Sequence, residues 1–155
     1  MFNAGQRPAV NVGLSVSRVG RAAQHKAMRS VSGSLRLQIA QYRDMAVFAQ
    51  FGADIDSTTS SLLRRGERLV QLLVQPSERN YTLAEQVVLL LAAEDGKFDN
   101  YDLQNINTAT TDLLEFVSKN GESIVENINN TGEFTDADKA ELEGLFERFF
   151  TNAKS

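Results

Sequence analysis

Apolar residues recur every three or four positions along most of the chain, which is the period of helices that bury one face. The first such stretch runs from about Arg21 to about Phe51, and we expect Gly52 to end it. A second helix is predicted to begin after Ser57 and to stop before Pro76. The predicted buried stripe of the first helix comprises Met28, Val31, Leu35, Gln38, Ile39, Tyr42, Met45, Phe48 and Ala49. That of the second comprises Leu62, Leu69, Leu72 and Leu73.

A capping box, Thr82-Leu83-Ala84-Glu85, precedes a short apolar run at residues 87–93. The run is apolar on every side, so this third helix is expected to be central and buried, with Gly96 as its C-terminal stop. A fourth helix is predicted from Asp102 to Ile128, which Asn120-Gly121 could kink or break.

The last helix is predicted to follow a turn at Thr131-Gly132 and to be capped by Thr135-Asp136-Ala137-Asp138. The acid pairs Asp54/Asp56 and Asp136/Asp138 are accordingly interpreted as helix caps. We expect the three aromatic residues near the C-terminus to belong to the core; they are Phe146, Phe149 and Phe150.

The pattern as a whole predicts an all-α fold, a bundle of about five helices that carries a short extended N-terminal arm. The arm is predicted at Pro8-Ala9-Val10-Asn11-Val12, where the spacing is that of a strand. Residues 13–20 are predicted to form a loop between the arm and the bundle.

Composition excludes several kinds of chemistry. The 155 residues contain no cysteine and a single histidine, His25, which removes disulfides, thiolate nucleophiles, Cys-based metal sites and His pairs. No metal site is predicted, and the sequence contains no G-x-x-x-x-G-K-[ST] phosphate loop. No apolar run approaches the roughly 18 residues of a membrane-spanning helix, so no direct membrane span is expected.

The net charge of −4 conceals a gradient along the chain. Residues 1–50 carry a balance of +6, residues 51–100 one of −3, and residues 101–155 one of −7. The basic residues of the first third are spaced out, and only Tyr42 could stack on a base among them, so nucleic-acid binding is not expected. The gradient itself indicates an interaction surface.

One loop offers chemistry, at Ser15-Val16-Ser17-Arg18-Val19-Gly20. It can be interpreted as an ordinary polar loop before a helix. It can also be interpreted as a guanidinium bracketed by small residues and hydroxyls, a combination suited to entering the phosphate site of a neighbouring chain.

Residues 7–24, with Pro8-Ala9-Val10-Asn11 and Val16-Ser17-Arg18-Val19-Gly20, closely resemble the α subunits of the rotary F-type ATP synthases. The resemblance continues through Phe48-Ala49-Gln50-Phe51-Gly52-Ala53-Asp54, Arg65-Gly66 and Glu85-Gln86-Val87, and is specific up to about Asp99. It implies two parts: residues 1–20 as the remnant of a nucleotide-binding domain, and residues 21–155 as the C-terminal helical domain. The chain is therefore expected to be a fragment of a longer subunit or a shortened reading frame.

The resemblance also implies roles for individual residues. Arg18 aligns with the arginine finger that the α subunit supplies to the catalytic nucleotide on the adjacent β subunit, Ser15 with a serine required for activity, and Val16 with the border of that site. Arg7, Pro8 and Gln75 align with the wall of the non-catalytic nucleotide pocket. The family often has a second glutamine where this chain has Ser77.

As a function, the resemblance implies the non-catalytic, regulatory subunit of a proton-translocating ATP synthase. The implied partners are β subunits in an alternating hexamer and the central γ stalk, which the loop at residues 51–54 would face. The implied cofactors are ATP or ADP with Mg²⁺ in the full complex and none for this chain alone, which should be inactive. The implied location is the cytoplasmic face of a bacterial or equivalent energy-coupling membrane, peripheral to it, with the chain itself soluble. The alternative is a stand-alone helical adaptor that binds a partner through its acidic C-terminal half.

Overall fold

A computed structural model describes residues 26–52, 54–73 and 81–153. Within these ranges the chain forms six α-helices and one turn of 3-10 helix at Leu103–Asn105. The helices are α1 Lys26–Gln50, α2 Ser57–Leu73, α3 Leu83–Glu94, α4 Ile106–Asn120, α5 Glu122–Thr131 and α6 Asp136–Asn152. The predicted all-α bundle is confirmed, whereas the extended arm at residues 8–12, the loop at 13–20 and His25 lie outside the described residues.

Three of the predicted helix starts are confirmed by their hydrogen bonds, whereas a turn of 3-10 helix follows Asp102 and the α-helix there begins only at Ile106. The Thr82 hydroxyl accepts from the Glu85 amide at 3.3 Å, and the Glu85 carboxylate accepts from the Thr82 amide at 2.8 Å. Thr135 and Asp138 form the same reciprocal pair at the start of α6. Asp56 accepts from the Thr59 amide at 2.7 Å. Each start therefore satisfies backbone N–H groups that the helix itself leaves without partners.

The predicted fourth helix is two helices, which corrects the count from about five to six in the described part. Gly121 lies between α4 and α5 with φ −131° and ψ 36°, outside helical geometry. A Cβ at this position would lie 2.8 Å from a methyl carbon of Leu145, so α6 packs directly against the glycine backbone. The chain bends at Gly121 and sends α5 across the bundle.

Helix α3 occupies the centre of the bundle, as predicted. It contacts each of the other five helices. None of its residues is exposed, and seven are fully buried: Ala84, Val87, Val88, Leu89, Leu91, Ala92 and Ala93. Full burial of a Val or Leu side chain contributes about 1.5–3 kcal/mol, so this helix supplies a large share of the hydrophobic stabilisation.

An aromatic cluster joins the turn after α3 to α6. Phe98 is buried and packs edge-to-face on Phe150, with ring centroids 5.6 Å apart, while Tyr101 contacts both rings at 6.0 Å. Phe146 and Phe150 are buried and Phe149 packs partly buried against the core. The expectation that the C-terminal phenylalanines belong to the core is confirmed.

The predicted stripe of α1 is fully buried only in its first half; Tyr42, Met45 and Ala49 are half-buried, and Phe48 was wrongly included. Val31, Leu35 and Ile39 are buried, but Phe48 is 63% exposed. Phe48 lies nine residues beyond Ile39, which is about 2.5 turns of helix and therefore the opposite face. Beyond Ile39 the helix has no buried residue, so the C-terminal half of α1 extends past the core.

Candidate partner-binding site

The residues that the resemblance singled out lie outside the described part of the chain. These are Arg7, Pro8, Ser15, Val16, Arg18 and Gln75, together with Ser77. Their roles remain predictions. The loop predicted to face a partner is described except at position 53, and it lies at the far end of the α1–α2 hairpin.

Large exposed apolar side chains are concentrated at that end. Val47, Phe48, Phe51 and Ile55 are 56%, 63%, 84% and 43% exposed, and all four lie within nine consecutive positions. Contiguous exposed apolar surface of this kind is typical of a protein–protein contact. We call residues 40–52 and 54–65 the tip.

Exposed residues form a second, mostly apolar stripe along α1 and into the turn that follows it. Leu37, Ala40, Asp44, Val47 and Phe51 follow one another at intervals of three or four residues, and all five are exposed. This spacing places them along one face of the helix. Helix α1 therefore has one apolar face inside the bundle and a second, mostly apolar face directed away from it. The predicted stripe contained none of these five outward residues, so the prediction missed the second face.

The exposed stripe ends in a tight turn. The Phe51 amide donates to the Phe48 carbonyl and the Gly52 amide to the Ala49 carbonyl, both at 3.2 Å. Gly52 has φ 73°, in the left-handed region that glycine adopts most easily, so the predicted helix stop is confirmed. The ring of Phe51 is left on the outer surface.

Acidic side chains lie within the exposed stripe and close to it in sequence. Asp44, Asp54 and Asp56 are all exposed. Hydrogen bonds from Thr59 lower the pKa of Asp56 below its usual range, so this carboxylate is ionised at neutral pH. The tip also carries Arg43, Arg64 and Arg65, so its three aspartates and three arginines give it no net charge. Its apolar contact area, edged by charges of both signs, suits a partner surface of apolar and charged residues.

The base of the tip is closely packed. A Cβ on Gly66 would lie 2.3 Å from ring atoms of Tyr42, so the ring of Tyr42 rests on the glycine backbone and brings α1 and α2 together. Burial, and then the nearby Glu67 carboxylate, raise the pKa of Tyr42 above its usual range. Arg65 and Arg68, on the same part of α2, bind the turn that follows α3.

Two clefts in the bundle are small. One of about 170 Å³ lies between α1, α3 and the start of α6, and one of about 210 Å³ lies between α3, α4 and α5. Both fall below the roughly 300 Å³ of typical small-molecule sites. No group of three or more His, Cys, Asp or Glu side chains suited to a metal occurs within residues 26–52, 54–73 and 81–153. None of the helices described there is long and apolar enough to cross a membrane.

Comparison with known proteins agrees with this helical architecture. The model of the family described as ATP synthase alpha/beta chain, C terminal domain, matches residues 24–149. The chain belongs to this family. The family is one whose members are found at the C-terminal end of ATP synthase α and β chains, and the match covers all six helices of the described part except the last residues of α6.

Curated relatives carry the name ATP synthase subunit alpha. The protein of Lawsonia intracellularis is 50% identical over 129 residues, that of Streptomyces griseus 46% over 136, and that of Neorickettsia sennetsu 55% over 114. These alignments cover 83%, 88% and 74% of this chain but only 26%, 26% and 22% of the relatives. The chain thus spans about a quarter of the length of the curated relatives it matches. The resemblance to α subunits is confirmed.

Proposed function

We propose that this chain functions as the C-terminal part of an F-type ATP synthase α subunit. The observation that supports the proposal is its similarity to curated α subunits over 74–88% of its length, which adds to the membership in the C-terminal domain family. In this proposal residues 1–20 belong to the nucleotide-binding domain and residues 21–155 form the helical domain.

In this proposal Arg18 makes the catalytic contribution of the chain. Its guanidinium enters the nucleotide site of a neighbouring β subunit and stabilises charge on the transferring phosphoryl group, an effect worth about 10³–10⁵ in rate in related enzymes. Ser15 supports the loop that carries it, and Val16 borders the same site. Arg7, Pro8 and Gln75 form part of a separate, non-catalytic pocket for ATP or ADP with Mg²⁺.

The tip is the proposed contact with the central γ stalk. Its exposed apolar stripe supports this assignment, because apolar surface with charges of both signs around it suits a partner helix with apolar and charged residues. The β subunits of an alternating hexamer are the other proposed partners. The assembly would lie peripheral to an energy-coupling membrane, on the cytoplasmic face in a bacterium.

The decisive experiment places this sequence in a full-length α subunit and measures an assembled complex. Arg18→Ala is expected to lower multi-site ATP hydrolysis and synthesis by orders of magnitude with little change in assembly or nucleotide affinity. Arg18→Lys should rescue poorly, because an ammonium lacks the planar fork of a guanidinium. Near-wild-type multi-site turnover of Arg18→Ala would refute the arginine-finger assignment.

A matched experiment uses the 155-residue chain alone. We expect neither tight ATP binding nor hydrolysis, because the sequence contains no phosphate loop. Turnover by the purified chain that disappears in Arg18→Ala would contradict the proposal.

The adaptor alternative predicts a different set of partners. An adaptor would bind through its acidic C-terminal half, where residues 101–155 carry a balance of −7, and would not retain β or γ subunits. Co-purification with β and γ subunits therefore distinguishes the two functions. Retention of both, weakened when Phe48 and Phe51 are replaced by serine but not when Glu122 and Glu126 are replaced by glutamine, is the expected result.

A further inference from the structure

The tip has no buried residue of its own. In residues 40–52 and 54–65 every side chain is exposed or half-buried, and the nearest buried residues are Ile39 on α1 and Gly66 on α2. Its orientation relative to the bundle therefore depends on contacts at its base.

Arg65 provides one of these contacts. Its Nε and Nη2 atoms donate to the Asp99 carboxylate at 3.1 Å and 2.8 Å. Gly96, with φ 72°, leaves room for the guanidinium, since a Cβ there would lie 2.6 Å from Arg65 Nη2. The sequence of the turn thus admits a two-pronged ion pair between α2 and the segment that follows α3.

Arg68 provides the second contact, one helical turn further along α2. Its Nε donates to the carbonyl oxygens of Phe98 at 3.2 Å and of Tyr101 at 3.1 Å, and its Nη2 donates to Tyr101 at 2.8 Å. The side chain of Arg68 is only 12% exposed. A charged donor thus satisfies carbonyl groups of a turn that forms no regular helix.

The same turn is held from the other side by α6. Phe98 and Tyr101 pack edge-to-face on Phe150, and Lys97 forms an ion pair with Glu147. Residues 96–101 are therefore fixed between the base of the tip and the C-terminal helix. We call Arg65, Arg68 and residues 96–101 the bracket.

We propose that the bracket couples the C-terminal helix to the tip, so that the way α6 holds residues 96–101 sets how freely the tip opens away from the bundle. The coupling is carried by contiguous contacts, from Phe150 and Glu147 through the turn to the two arginines. It requires no particular partner at the tip, and so it does not depend on the proposed function.

Hydrogen exchange of the full chain under native conditions tests the α2 side of the bracket. Arg68→Ala removes three hydrogen bonds to the turn and one to the Arg64 carbonyl, and is expected to speed exchange of tip amides about tenfold. Arg65→Ala and Asp99→Asn, at a more exposed pair, should give about threefold. Amides of α4 and α5 should stay within about twofold of the wild type. Lys119→Ala breaks an ion pair with Glu115 on α4, away from the bracket, and should leave the tip unchanged.

Variants on the α6 side decide whether the two ends are coupled. Lys97→Ala, which loses the ion pair to Glu147, and Phe150→Leu, which loses the aromatic contacts, should both speed exchange at the tip. In the double variant Lys97→Ala/Arg65→Ala the effects should combine to less than their product, because both act through one turn. A tip that exchanges at the wild-type rate in both α6-side variants, or an equal acceleration of every amide in the chain, would overturn the proposal. Lys97→Ala changes a side chain that is 21% exposed and lies outside the hydrophobic core, so the test does not depend on Phe150→Leu remaining folded.

Discussion

Replacing Gly66 with alanine isolates the contact that closes the α1–α2 hairpin. The new Cβ would lie 2.3 Å from Cγ and Cδ2 of Tyr42 and 2.5 Å from its Cβ. Carbon atoms in contact prefer about 3.5–4.0 Å, so more than about 1 Å of space is missing. Rotating the ring cannot supply it, because the Cβ of Tyr42 is attached to the backbone. Helix α1 must therefore separate from α2.

The expected free energy follows from two opposing effects. Overpacking of this kind costs about 1–3 kcal/mol, whereas glycine-to-alanine within a helix gains up to about 1 kcal/mol. Because the clash involves atoms close to the backbone, the upper part of the cost applies, and we expect a net loss of about 1–2 kcal/mol.

Gly33→Ala is the matched control. Gly33 lies inside α1, and no atom lies within 4 Å of the position that a Cβ would occupy there. Only the gain in helix propensity remains, so stability should rise by about 0.5–1 kcal/mol. Urea unfolding followed by far-UV circular dichroism measures both variants. Gly66→Ala should cost less in a Tyr42→Ala background than in the wild type, because the ring atoms at 2.3 Å are then absent and only the Cβ of residue 42 at 2.5 Å remains. If Gly66→Ala and Gly33→Ala stabilise the chain alike, the close approach of the two helices is refuted.

Three further outcomes are expected. Thr82→Ala should lower the free energy of unfolding by about 1 kcal/mol, and Thr82→Ser should preserve it, in the same urea assay. Phe98→Leu should lower the free energy of unfolding by about 1–2 kcal/mol and accelerate hydrogen exchange of the Tyr101 amide. A urea midpoint equal to that of the wild type would contradict the aromatic packing. Desolvation, and then the Glu143 carboxylate, raise the pKa of Asp95 above its usual range. The native state therefore binds the Asp95 proton more tightly than the unfolded chain does. The free energy of unfolding should fall as the pH rises from the ordinary aspartate pKa through the raised one. Asp95→Asn should remove that part of the pH slope in paired urea titrations.

Much of the fold could be predicted because its signals are local. The capping boxes at Thr82 and Thr135 involve residues three positions apart, and the stop at Gly52 depends on one backbone conformation. The break at Gly121 was suggested by sequence, but whether the helix kinks or divides depends on Leu145, which is distant along the chain. Periodicity alone could not divide the apolar residues of α1 between two faces, because it does not record where the bundle ends.

The bracket was not predicted for a related reason. Arg65 and Arg68 pair with a carboxylate and with backbone carbonyls about thirty positions away, and a carbonyl carries no residue-specific signal. The catalytic and nucleotide-pocket assignments, from Arg7 to Arg18 and at Gln75, came from the resemblance and lie outside the described residues. They await the experiments on the assembled complex.

The central position of α3 has a consequence for synthesis of the protein. Helices α1 and α2 precede it in the chain and α4, α5 and α6 follow it, yet all five pack around it. As the chain leaves the ribosome, the earlier helices can cover only part of the apolar surface at residues 87–93, and the remainder stays in contact with solvent until the last third has been made. The nascent chain thus carries its most apolar segment incompletely covered for the time needed to translate about sixty residues, at about 5–20 residues per second, and is most prone to aggregate over that interval.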